Sequence, residues 1–293
     1  FHTSKARCVF WTLLGSIFLV NFANAVRGDE PPLHERIDRL VEANSVGPVA
    51  ANASDADFVR RIWLDLAGCV PSSTAARQFL ENSSPNKRVE LIDQLLASPQ
   101  FVRHFTTVLD VTLMERRPEK AVKNPEWQQY LFESLAAEKP LDQLFRELIA
   151  ADGVQASPRA AVRFLLDRDC EPNTMTRDIG RLVFGRDIQC AQCHDHPLIE
   201  DYSQAEYYGV QAFVLRSTSF NDAKNKQLQI AEKADGEVAY QSVFTKTGSE
   251  RTFPRLPLGR TVVDPAMEKG DEYVVAPAKD VRHFPKYSRR AQL

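Results

Sequence analysis

Residues 174–215 read TMTRDIGRLVFGRDIQCAQCHDHPLIEDYSQAEYYGVQAFVL. The stretch from about Thr174 to Phe184 has helical periodicity, and Ser203 is placed to cap a second helix from Gln204 to Leu215. Between the two helices lies Cys190-Ala191-Gln192-Cys193-His194, the Cys-x-x-Cys-His spacing by which c-type haem is attached. Two thiols three residues apart lie on one side of a helical turn and can both reach the vinyl groups of a porphyrin. The adjacent imidazole can then turn to the iron. The chain has five cysteines and six histidines among 293 residues, so a chance match is rare. Helix, ligand-bearing segment, helix is the reading from which a mainly α fold follows.

Working towards the N-terminus, the same amphipathic pattern recurs. Leu33, Ile37, Leu40 and Val41 share one helical face, and Phe58, Ile62 and Leu66 share another behind Ser54. That second helix is expected to stop at Gly68, with Pro71 just beyond. Ser84-Pro85, Ser98-Pro99, Asn124-Pro125 and Ser157-Pro158 repeat one device, a capping side chain followed by proline at the first helical position. They introduce the stripes Val89/Ile92/Leu95/Leu96, Phe101 to Met114, Trp127/Leu131/Leu135 and Val162/Leu165/Leu166. These stripes read as core faces.

Beyond Ser217 helical stripes give way to alternation, in Val238 to Phe244, Arg260 to Val263 and Tyr273 to Val275. Gly236, Gly248, Gly259 and Gly270 punctuate them. The expected fold class is therefore mainly α, a multi-helix domain with a small β-rich C-terminal region. The expected division is a signal peptide (1–25), a helical domain carrying the motif (26–216) and a β/loop region (217–293).

The N-terminus reads as an export signal. Lys5 and Arg7 precede an apolar run from Val9 to Val20, too short to span a bilayer comfortably, and Ala23-Asn24-Ala25 supplies a small-x-small cleavage site. The mature chain is expected to begin at Val26, in a periplasmic or secreted location and without a membrane span. Phe1 in place of Met leads us to expect an upstream or unusual start. Cleavage would remove Cys8 and leave Cys69, Cys170, Cys190 and Cys193, too few for a disulfide scaffold in a chain long enough to bury its own core. Cys69 and Cys170 read either as a bridge or, preferably, as two small buried residues. Export and covalent haem attachment belong to the same compartment. The 37 basic and 39 acidic residues nearly cancel and are mixed along the chain, so no basic stripe suggests nucleic acid.

Three segments together carry a family resemblance. They are Asp57-Phe58-Val59-Arg60-Arg61-Ile62-Trp63-Leu64-Asp65-Leu66-Ala67-Gly68, then Asn86-Lys87-Arg88 through Leu95-Leu96-Ala97-Ser98-Pro99, then Cys190 to Pro197 followed by Tyr207-Tyr208. The pattern resembles the second planctomycete-type cytochrome-C-like domain, a family of unknown function in secreted proteins of planctomycetes and their relatives. The resemblance runs from about Leu33 to the C-terminus. It implies that a further domain commonly follows, whose entry Tyr287 to Leu293 resembles.

Several chemistries fit the motif. In the first, Cys190 and Cys193 hold haem c, His194 is the axial ligand, and the protein exchanges electrons with a redox partner protein or a downstream domain of the same chain. Met114, Met175, Met267, His104 and His283 are candidates for the sixth ligand. In the second, Cys190, Cys193, His194 and His196 bind zinc or iron, with Asp195, Glu200 or Asp201 in reserve. Such a site would serve an extracellular enzyme or attachment protein, acting on a substrate such as a polysaccharide. Thiol–disulfide exchange and a structural disulfide complete the set. Asp195 and His196 read either as partners that orient His194 or as loop residues before Pro197. Tyr202, Tyr207, Tyr208 and Phe213 read either as walls of a porphyrin pocket or as core.

Overall fold

The computed structural model describes residues 31–48, 50–154, 159–244 and 249–293. The export signal, Cys8, the Ser157-Pro158 device and Gly248 lie outside the described residues. Two compact units divide the chain, 1–54 and 55–293. The first contains helix α1 (Leu33–Asn44), which carries the Glu35–Arg39 pair one turn apart. Everything below concerns the second.

The second unit begins with three short helices, α2 (Asp55–Ala67), α3 (Ser73–Glu81) and α4 (Lys87–Leu96). They close a small apolar cluster of Val59, Phe79, Leu91 and Leu95, against which Phe58, Ile62, Trp63 and Leu66 pack. Helix α2 stops at Gly68, whose φ of +71° is left-handed and whose missing Cβ leaves room for the His104 ring. On α4 the buried pair is Leu91 and Leu95, one turn apart, while Val89 and Leu96 are exposed.

Helices α5 (Pro99–Met114), α6 (Asn124–Ala136) and α7 (Leu141–Ala150) follow. Ser98 caps α5 by accepting from the Phe101 N–H at 3.2 Å, with Pro99 in the first turn where its missing N–H costs nothing. Trp127 and Leu131 on α6 are fully enclosed in the main core, and the Trp127 indole N–H donates to Asp110 at 2.9 Å. A 3₁₀ turn, Arg159–Val162, runs into the four-residue helix α8 (Arg163–Leu166). Ala160 to Val162 and all four residues of α8 are buried, Arg163 included.

Helices α9 (Pro172–Leu182) and α10 (Gln204–Val214) flank the motif as expected. Helix α9 begins two residues earlier than its apolar pattern, because Glu171 caps it with bonds from the Asn173 and Thr174 N–H groups at 3.0 and 2.6 Å. Ser203 accepts from the Glu206 N–H and caps α10.

The β region consists of two-stranded antiparallel pairs. Strands β1 (Ser217–Asp222) and β2 (Gln227–Glu232) form a hairpin in the register Ser217↔Glu232, with Ile230 inside the main core. Asp222 sets its turn by accepting from the Lys224 and Asn225 N–H groups. Strand β3 (Val238–Tyr240) pairs with β4 (Glu250–Thr252), and β5 (Tyr273–Val275) with β6 (Phe284–Pro285). The segment 260–263 contributes only a bridge, Arg255↔Thr261. The fold is mainly α with a small β region near the C-terminus.

The four described cysteines are free, so Cys69 and Cys170 are not bridged; Cys170 is buried and Cys69 exposed. Burial pushes the Cys170 thiol up to about 11. No helix among the described residues is long and apolar enough to cross a membrane.

Candidate functional site

The motif is carried by a 3₁₀ turn, Gln189–Gln192, between α9 and α10. Two apolar anchors, Ile188 and Ala191, are fully buried and pin this turn to the main core. Gly180 on α9 makes the approach possible: a Cβ there would lie 2.8 Å from Ile188 Cγ1 and 3.0 Å from the Arg186 carbonyl oxygen. With Ala191 turned inward, Cys190 and Cys193 on either side of it are exposed. Both thiols line one open groove of about 520 Å³ together with Asp187, Gln189, His194, His196, Ile199 and Tyr202.

The two imidazoles of the groove are held differently. His194 Nδ1 lies 2.8 Å from the Asp195 carbonyl oxygen. A carbonyl only accepts, so Nδ1 carries the proton and the Nε2 lone pair of the neutral ring is free for a metal. The Phe244 ring packs on His194 with centroids 5.3 Å apart, and the Val243 N–H donates to the Cys193 carbonyl at 3.2 Å. His196 Nδ1 instead accepts from the Leu198 and Ile199 N–H groups at 3.2 and 3.0 Å. In its neutral form the proton is therefore on Nε2, and its one lone pair is already engaged in closing the loop. The His196 backbone N–H donates to the Tyr202 carbonyl at 2.8 Å, and its ring meets the Tyr202 ring edge-on.

Asp195 acts through two atoms. Its carbonyl orients His194, while its carboxylate accepts from the Gln204 N–H at 2.7 Å, at the start of α10. The aromatic residues divide. Tyr202 lines the groove, Tyr207 and Phe213 are enclosed in the main core, and Tyr208 lies between the two. The Tyr208 hydroxyl donates to the Gln192 carbonyl at 2.8 Å, and its ring stacks on Tyr240 at 4.6 Å. The hydroxyl of Tyr207 and the amide of Gln211 both donate to the Asn173 side-chain oxygen, tying α10 to the first turn of α9.

None of Met114, Met175, Met267, His104 and His283 lines the groove. Met114 and Met175 are in the core, Met267 lines a different cavity, His104 packs over Gly68, and His283 lies against Tyr273. Among the described residues no three His, Cys, Asp or Glu side chains are grouped so as to hold a metal ion. Sequence spacing did not reveal Val243 and Phe244, which reach the site from the β region.

Comparison with known families gives one match. Residues 34–219 match the profile of PSCyt2, described as a protein of unknown function (DUF1549). The chain belongs to the PSCyt2 family. The match covers most of the helical part of the chain, takes in the whole groove segment 187–202 and ends in β1. No curated protein and no solved structure matches the chain.

Proposed function

We propose that this PSCyt2 chain is an exported protein that attaches one c-type haem through the thiols of Cys190 and Cys193, with His194 Nε2 as axial ligand, and that it serves electron transfer. The observation that carries this reading is the shared groove. Two free, exposed thiols open onto the same space as an imidazole whose Nδ1 is already held by a carbonyl. That hydrogen bond fixes the tautomer and the ring orientation that leave Nε2 for a ligand, as the partners of metal-bound histidines do. When bound, the haem would supply a one-electron iron couple, held by Cys190, Cys193 and His194.

The chain's residues divide the remaining work. Ile188 and Ala191 fix the turn, Asp195 orients His194, and Ile199 and Tyr202 give the groove an apolar side. His196 keeps the 196–199 loop closed, a role that sets it apart from the ligands. A zinc or iron site of Cys190, Cys193, His194 and His196 has less support, because the lone pair of His196 is occupied and the donors are not grouped.

The test is export from a host with a c-type haem maturation system, followed by intact mass and a pyridine haemochrome spectrum. The expected result is a mass gain of one haem that disappears in Cys190→Ala/Cys193→Ala, on a chain beginning at Val26. An unmodified mass with zinc or iron bound would overturn the haem reading in favour of the metal site. An unmodified mass without metal would leave only thiol chemistry.

A further inference from the structure

We propose that the rim of the Cys190 groove is the docking face for a basic redox protein, one whose cofactor edge is an apolar centre ringed by lysine or arginine. The inference rests on the redox reading above and names the chemistry of its partner.

The centre of the face is apolar and unusually open. Leu198 and Phe244 are 87% and 76% exposed, and Ile199 and Val243 are exposed beside them. These side chains are presented by hydrogen-bonded backbone. Leu198 and Ile199 donate their N–H groups to His196, and Val243 donates to the Cys193 carbonyl. Ile199 lines the groove, Leu198 precedes it and Phe244 packs on His194, so the groove's edge holds large apolar groups out to water. Such a patch marks a binding surface when polar residues rim it.

The rim is acidic. Asp187, Asp195, Glu200 and Asp201 are all exposed within this one segment. Its single cation, Arg186, is half-buried, packs over the Tyr202 ring at 4.8 Å and donates to the Asp201 carbonyl. On the β side, Glu250 accepts from the Tyr240 hydroxyl, its neighbour Arg251 is exposed, and Arg255 is paired with Glu206 at 3.0 Å, so the acidic excess lies in the 186–202 segment. The whole chain has a net charge of only −2, so four exposed acids against one half-buried arginine in 186–202 are a local asymmetry. A field of one sign around an apolar contact steers an oppositely charged partner and fixes its orientation. Small interfaces of this kind, below about 1,200 Å², suit encounters that must also separate.

The experiment uses the haem-loaded protein and a lysine-ringed mitochondrial cytochrome c as probe, with an acidic flavodoxin as its counterpart. Stopped-flow electron-transfer rates are measured between 10 and 300 mM NaCl. The expected rate with the basic probe falls about tenfold over that range, and the acidic probe shows the reverse trend. Glu200→Gln/Asp201→Asn should flatten the salt dependence. Leu198→Ser should lower the rate at every salt concentration, and Asp142→Asn, an exposed acid on α7, should change neither. Equal rates with both probes, or no salt dependence, would overturn the proposal.

A second readout needs no haem. Amide chemical shifts of Cys190→Ala/Cys193→Ala are followed as the basic probe is added. Shifts confined to 186–202 and 243–244 support the docking face even if haem attachment fails. Scattered or absent shifts overturn it even if attachment succeeds.

Discussion

Arg168 is fully enclosed, and each of its three side-chain nitrogens has a protein acceptor: Nε meets Asp178 at 2.6 Å, Nη1 the Phe164 carbonyl at 2.6 Å and Nη2 the Leu113 carbonyl at 2.7 Å. Cys190 and Cys193, in the turn that follows α9, are exposed and free, and the buried apolar contacts of that turn are Ala191 and Ile188, between and before them. Both regions place polar chemistry against an apolar body, with opposite outcomes. Buried charge with every nitrogen bonded joins elements distant in sequence, here α5, α8 and α9, and is closed to a ligand. The groove does the reverse: backbone bonds hold its frame, and its reactive side chains are left open. The difference separates the charges that build this molecule from the groups that can act.

Removing the first kind should damage folding most. Arg168→Ala orphans two buried carbonyls and leaves a cavity, while Asp178 keeps Arg117 at 3.0 Å. We expect a loss of about 3–5 kcal/mol in urea unfolding, within the range for broken buried pairs. A loss below about 1 kcal/mol would mean that the arginine is not the joint described here.

The second joint lies where the C-terminal segment meets the β region. Asp264 receives Arg289 Nε and Nη2 at 2.8 Å and Arg216 Nη2 at 2.8 Å. Burial alone would raise the Asp264 carboxyl, but the hydrogen bonds of Arg289 and the charge of Arg216 outweigh it and hold the carboxyl below its ordinary value. A carboxylate depressed in the folded state contributes stability above its unfolded pKa and loses it as pH falls through the folded one. Arg289→Ala should cost about 2–3 kcal/mol at pH 7, less than a fully buried pair because Asp264 keeps some solvent. The deficit relative to wild type should shrink as pH drops below about 4. A pH-independent deficit in thermal melts from pH 2 to 7 would assign the cost to packing alone.

The contrast also explains what could be read from the sequence. Ser98 and Ser203 cap the helices their position predicts, since a cap is settled within three residues. Ser84 holds Asn86 and Glu90 instead, and α4 starts later than its proline suggests. Val89 and Leu91 both fit a helical stripe, and only the packing of α2 and α3 selects Leu91. The β1–β2 hairpin went unread because its strands are mostly polar, with only Ile230 and its neighbours turned to the core. In the groove, the Cys-x-x-Cys-His spacing is local and legible. The contact of Phe244 with His194 joins distant parts of the chain and left no pattern to find.

Gly180 tests whether the two regions can be uncoupled. An added Cβ would press on Ile188 and on the Arg186 backbone, so Gly180→Ala should cost about 1–3 kcal/mol by overpacking. The backbone carbonyl has no other rotamer, and the relief should come from lifting the 186–193 segment. We therefore expect faster hydrogen exchange at Ala191 and Cys193, with α5 and α6 unchanged. Exchange that rises evenly across the helices would show instead that the groove frame and the core form one cooperative body.

The smallest effect is expected at His196, where it is also the most discriminating. His196→Ala removes an acceptor from the Leu198 and Ile199 N–H groups, which are exposed and can turn to water, so the stability loss should be about 0.5–1 kcal/mol. Haem attachment in the maturation host should persist in His196→Ala, because the thiols and His194 are untouched. In His194→Ala the thioether links are expected with an altered spectrum, since the axial nitrogen is lost while both thiols remain. If His196→Ala changed the haemochrome-free absorption spectrum as much as His194→Ala did, the ring would have to be a ligand. Its bonds to the loop would then have to break on loading, and the line between frame and reactive groups would run through His196 itself.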